Sequence, residues 1–125
     1  MNTSEPSPNL AQNLPQPGVK LPFAVLHHIA IPEPHFDLLV QLPGAALLLT
    51  WRIFTPPTDW PTHPPTATRM QDHRPLYMTY EGPISNGRGR VARVAAGTAR
   101  LLAHNPNNMT LELLNAPNCT LTLPL

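Results

Sequence analysis

His35-Phe36-Asp37-Leu38-Leu39-Val40-Gln41-Leu42-Pro43-Gly44, continued by Ala45 to Phe54, is the stretch that decides the fold. An apolar run of strand length ends in a Pro-Gly turn, and a second apolar run returns from it. Leu47-Leu48-Leu49 would suit a helix equally well. Confinement between Pro43-Gly44 and Pro56-Pro57 favours a strand ending in Trp51-Arg52-Ile53-Phe54. In a strand, residues i and i+2 share a face. His35 and Asp37 therefore look out together, while Phe36 points the other way. His27 and His28 lie just upstream. Only 12% of the chain is charged, so ionisable groups are placed sparingly. An imidazole and a carboxylate side by side, with a further histidine in reach, suit a facial metal site with open positions for substrate.

Working outward, Phe23 to Ile29 reads as a strand, broken by Ile31-Pro32-Glu33-Pro34 because proline cannot donate to a ladder. Thr55 to Pro65 is a long loop rich in proline and threonine that contains Trp60 and His63. Loops of that length are often functional. Trp60 is equally suited to stacking on a base or covering the end of a barrel. Thr66 to Gln71 reads as a short strand leading into Asp72-His73, and Tyr77 to Tyr80 as an extended segment. Asn86-Gly87-Arg88-Gly89 is a tight turn, whose backbone amides also suit a phosphate. Arg90 to Ala96 and Thr98 to His104 read as strands punctuated by Gly97. Asn105-Pro106-Asn107-Asn108 is a hairpin turn. Met109, Leu111 and Leu113 share a face, as do Cys119, Leu121 and Leu123 after the turn at Ala116-Pro117-Asn118. The sum is an all-β, compact single-domain barrel of about eight short strands, with little or no helix. Eighteen prolines fit that reading and oppose a helical one.

At 125 residues the chain is one domain, able to bury a core without disulfides. Residues 1–18 are polar and proline-rich and are expected to form a flexible arm, with the domain proper spanning 19–125. The arm has no basic and apolar signal-peptide regions, and no stretch reaches the roughly 18 apolar residues of a membrane span. With a lone cysteine, Cys119, these features predict a cytoplasmic protein. The net charge of +1 gives little pull on DNA or membrane. Arg88, Arg90, Arg93 and Arg100 cluster, which suits either oxyanion binding or a solvent-facing strand edge. His63 and His104, in or beside loops, read as solvated.

Taken together, these residues resemble the 3′-phosphoesterase domain of bacterial ligase D proteins and its stand-alone relatives. The resemblance runs from about residue 25 to the C-terminus. It rests on His28, on His35-Phe36-Asp37, on Leu49-Thr50-Trp51, and on the block from Arg69 through Asp72-His73, Tyr77 and Glu81-Gly82 to Ile84. The block is fairly specific, whereas His-x-Asp alone is weak. The resemblance implies a β-barrel that binds a divalent metal, Mn2+ first and Zn2+ or Co2+ as alternatives, through His28, His35 and Asp37. His73 would contact the scissile phosphate, Tyr77 would support the site, and Arg69 joins the catalytic set. The implied activity is removal of 3′-phosphates and 3′-ribonucleotides from DNA or RNA/DNA primer ends in repair. A monomer is expected, working beside separate ligase or polymerase proteins.

The chain departs from the family pattern at cationic positions. Leu39 stands where the family has an arginine, Thr55 where it has a lysine, and Pro65 near another arginine; Gln71 replaces an acid. The spacing from His28 to His35 is one residue longer than usual, which leaves His27 as a rival ligand. Arg52, Arg69 and Arg88 are the candidates to replace the lost cations. Two other readings stand beside the enzyme: a catalytically impaired relative that binds metal or nucleic-acid ends, and a structural barrel whose proline-rich arm is a polyproline ligand.

Overall fold

The computed structural model describes residues 13–125. Eight strands form: β1 (Lys20–Ile29), β2 (His35–Val40), β3 (Leu48–Ile53), β4 (Thr68–His73), β5 (Gly82–Pro83), β6 (Arg90–His104), β7 (Asn108–Leu113) and β8 (Cys119–Pro124). They make one antiparallel sheet in the order β4-β3-β2-β1-β6-β7-β8, with β5 paired to the start of β6. The sheet curls into a half-barrel. Trp51 Nε1, in β3, donates to the Pro124 carbonyl in β8 at 2.7 Å, joining strands near opposite ends of the sheet.

The alternation seen in the sequence sets the layers. Phe23, Val25, Leu38, Val40, Trp51, Ile53, Leu101, Leu111 and Leu123 bury one face in a large core. Trp60 reaches into the same core from the loop after β3, and its Nε1 donates to the Thr55 carbonyl at 3.0 Å. Covering the barrel is therefore its role, and no base can stack on it. The opposite face of β1, β2, β3 and the start of β6 carries a smaller cluster, Leu26, Leu39, Leu48 and Val91, roofed by Tyr77, Met78, Tyr80 and Ile84. β2 is thus buried on both faces, which is why Leu38-Leu39-Val40 reads as a continuous apolar run.

Bulges supply the curl. Val25 pairs with Ala95 and Leu26 with Arg93, so Val94 is the extra residue in β6; Leu102 is another, opposite β7. β6 runs unbroken through Gly97, where a strand end was expected. The glycine makes room for Asn115: a Cβ there would lie 2.8 Å from Asn115 Oδ1. A second correction concerns Tyr77 to Tyr80. Pro75–Met78 forms a 3₁₀ turn instead of an extended segment, because Pro75 holds the first position with φ already suited to a helical turn. Another 3₁₀ turn spans Pro57–Asp59, and no α-helix occurs among the described residues.

The predicted arm lies outside the described residues up to residue 12. The rest of it docks on the sheet: Leu14 packs against the large core, and Gly18 N–H donates to the Leu101 carbonyl at 2.7 Å. No described helix is long and apolar enough to cross a membrane.

Candidate metal centre

The register of three strands builds the site. His28 pairs with His35, and Leu26 with Asp37, so all four share one face of β1 and β2. His27 pairs with Phe36 on the other face, where the two rings stack at 4.3 Å. Of the two neighbours, His28 is therefore the one on the face of His35 and Asp37. One ligand atom each from His28, His35 and Asp37 lies within 4.8 Å of the others. His35 and Asp37 are buried and His28 is half-buried.

Both imidazoles are oriented by main-chain carbonyls. His35 Nδ1 hydrogen-bonds the Glu33 carbonyl at 2.9 Å, and His28 Nε2 the Arg88 carbonyl at 2.6 Å. A carbonyl can only accept, so each of these nitrogens carries the proton, and the other nitrogen of a neutral ring presents its lone pair. A ring N–H held by a carbonyl is the usual outer support of a metal-ligating histidine. His35 Nε2 is buried and has no hydrogen-bond partner. Asp37 Oδ1 lies 3.4 Å from it, close enough for charge but outside hydrogen-bond geometry. This orphaned nitrogen beside a buried carboxylate is a donor set that suits a cation. Two imidazoles and one carboxylate suit Mn2+, Zn2+ or Co2+. The Asp37 carboxylate raises the His35 pKa above its ordinary 6.5, against the lowering effect of burial; the Glu33 carbonyl adds to the rise and the Arg52 charge opposes it.

His73 enters from β4. The β3–β4 register shifts between Leu48 and Thr50, a bulge beside the site. His73 Nε2 lies 4.0 Å from Asp37 Oδ2, and its Nδ1 hydrogen-bonds the Gln71 carbonyl at 3.0 Å. Tyr77 meets the His73 ring edge-on at 5.7 Å, and the Arg74 guanidinium lies over Tyr77. These groups line an open pocket of about 340 Å³ with Leu26, Val91 and Arg88.

The structure does not bring Arg69 into this pocket. It pairs with Trp51, on the large-core face, and its guanidinium lies 5.4 Å from the indole centroid. It donates to Asp72 Oδ1 at 2.6 Å and to the Thr50 and Met70 carbonyls. Its cation is committed to holding β3 and β4 together. Leu39 is wholly buried in the small apolar cluster, so the floor beneath Asp37 offers no cation either. The site face instead carries Arg52, opposite Asp37, and Phe54 beside His35. They stand two residues apart in the expected strand, so period-two alternation is the signal that could have found them. The chain matches no protein-family model and no curated protein.

Proposed function

We propose that the protein is a divalent-metal phosphoesterase that removes phosphate from nucleic-acid 3′ ends. The observation that carries this reading is the His28, His35 and Asp37 cluster, with His73 aimed at the second Asp37 oxygen. A bound divalent cation supplies Lewis-acid polarisation of a phosphoryl oxygen and a more acidic water. His28 and His35 offer nitrogens whose directions the Arg88 and Glu33 carbonyls fix. Asp37 supplies the negative charge. His73 stands at the open side with its Nδ1 proton tied down, so Nε2 offers a lone pair that can take a proton from the attacking water and pass it to the leaving 3′ oxygen. Water adds to phosphorus, the bond from phosphorus to the 3′ oxygen breaks, and the products are a 3′ hydroxyl and phosphate. Tyr77 steadies the His73 ring from its edge. The substrates in this reading are DNA or RNA/DNA primer ends, with Mn2+ as the first choice of metal.

The test is Mn2+-dependent phosphate release from a primer bearing a 3′-phosphate. Release is expected from the wild type and not from Asp37→Ala; undiminished release by that variant refutes the reading. A second reading, end binding without turnover, is favoured by Leu39 replacing a cation under the site. It is upheld by Mn2+ binding with no release, and it is lost if release exceeds the metal-free control.

A further inference from the structure

We infer that Arg52 and Phe54, on the site face of β3, hold the substrate: Arg52 takes the phosphate, and Phe54 takes the flat ring of the terminal nucleotide. The inference rests on the phosphoesterase reading and deepens it.

The register places the pair. Arg52 is the direct partner of Asp37, and Phe36 is the partner of Ile53. The next step along the ladder sets Phe54 beside His35, with ring centroids 6.3 Å apart. Arg52, in β3, and Phe54, just past its end, therefore flank the metal cluster on one face. Residues opposite each other on one face lie close enough to act on a common ligand.

Arg52 stands apart from the other arginines near the site. Arg69 is bound to Asp72, and Arg74 lies over Tyr77. Arg88 donates to the carbonyl and hydroxyl of Ser85, and Arg93 donates to the Met78 carbonyl. Arg52 has no hydrogen bond or ion pair among the described residues, and its Nε is buried. A guanidinium is charged at every relevant pH and carries five donors in a planar fork. With its fork engaged by none of the described residues, it is satisfied by an oxyanion, and a phosphate accepts that fork bidentately. Arg52 lines an open pocket of about 450 Å³ with His28, His35 and Arg88. His28 and Arg88 also line the pocket that holds Asp37 and His73. Glu33 is the one carboxylate residue in the Arg52 pocket, and it forms no ion pair with Arg52. An anion there touches Arg52 on one side and reaches the metal cluster on the other.

Phe54 is 59% exposed, the highest value among the exposed large apolar side chains. Its ring meets His35, which lines the Arg52 pocket, and an exposed ring beside a phosphate site is a platform on which a nucleobase stacks without sequence preference. Trp60, the other aromatic of this region, is buried in the core and leaves that role to Phe54.

The test is calorimetric titration of the full chain, with and without Mn2+, using inorganic phosphate and thymidine 3′-monophosphate as probes. Arg52→Gln is expected to weaken both probes about 10- to 100-fold, with Arg52→Lys between it and the wild type. Phe54→Ala is expected to weaken the nucleotide about 5- to 100-fold and leave inorganic phosphate unchanged. All three variants keep the Mn2+ site, since neither residue is a ligand. Wild-type affinity for both probes in Arg52→Gln overturns the inference, as does equal weakening of both probes in Phe54→Ala or a wild type that binds neither. The two readings fail separately. Probe binding through Arg52 and Phe54 without primer hydrolysis removes the enzyme and keeps the subsite. Hydrolysis unaffected by Arg52→Gln keeps the enzyme and removes the subsite.

Discussion

Replacing Trp51 by phenylalanine should loosen the closure of the half-barrel. The indole N–H donates to the Pro124 carbonyl at 2.7 Å, joining β3 to β8. Phenylalanine removes that donor and leaves the partly buried carbonyl short of a partner, at a cost of about 1–2 kcal/mol. The smaller ring leaves a void worth about 1 kcal/mol if the surroundings do not collapse. The Arg69 guanidinium, 5.4 Å from the indole centroid, loses about 0.5 kcal/mol of attraction. The total lies at about 2–4 kcal/mol. At about 4 °C per kcal/mol for a domain of this size, Tm should fall by about 8–16 °C. Scanning calorimetry of the two proteins at equal concentration measures it. At 10 °C, where both are folded, Mn2+ affinity should agree, because the ligands come from β1 and β2. A fall in Tm under about 3 °C would show that the curl is held by apolar packing alone and refute the argument.

Gly89→Ala should damage both the fold and the metal centre. The residue has φ +78°, and a Cβ would collide with the Ile29 carbonyl and lie 2.7 Å from Ile31 Cγ2. The loop must shift, taking with it the Arg88 carbonyl that orients His28. A loss of about 1–3 kcal/mol in urea denaturation is expected, with weaker Mn2+ binding in titration; unchanged Mn2+ affinity would sever the loop from the site. The raised pKa of His35 gives a pH dependence of known sign. In the metal-free protein the proton on His35 contributes stability that is full below pH 6.5 and lost as pH rises through the raised value. Metal binding must displace that proton, so Mn2+ affinity should rise with pH over the same range and level off above it. The gap in Tm between loaded and metal-free protein should therefore widen from pH 6 upward; a constant gap would exclude His35 as a ligand.

What the sequence disclosed and what it withheld follow physical lines. Alternation placed His35 and Asp37 together, since a two-residue period needs only one strand. Choosing His28 over His27 needed the register of β1 against β2, in which His28 pairs with His35 and His27 with Phe36. Shifting that pairing by one residue would have presented His27 instead. Arg69 reads as a site arginine because it precedes Asp72-His73, yet it faces Trp51. The bulge between Leu48 and Thr50 changes which β4 residues look toward Asp37, and no local pattern announces it. Tyr77 to Tyr80 has strand-forming residues, but Pro75 starts a 3₁₀ turn that folds the segment over the small cluster. Gly97 looked like a strand end because its neighbour Asn115 is distant in sequence.

The three site histidines share a feature with an evolutionary consequence. Each has one ring nitrogen held by a peptide carbonyl, from Arg88, Glu33 and Gln71, rather than by a side-chain hydrogen bond. The identities of residues 33, 71 and 88 can therefore drift without misdirecting an imidazole. The rim can change its charge, and with it the ligands it admits, while the aim of the three rings is inherited intact.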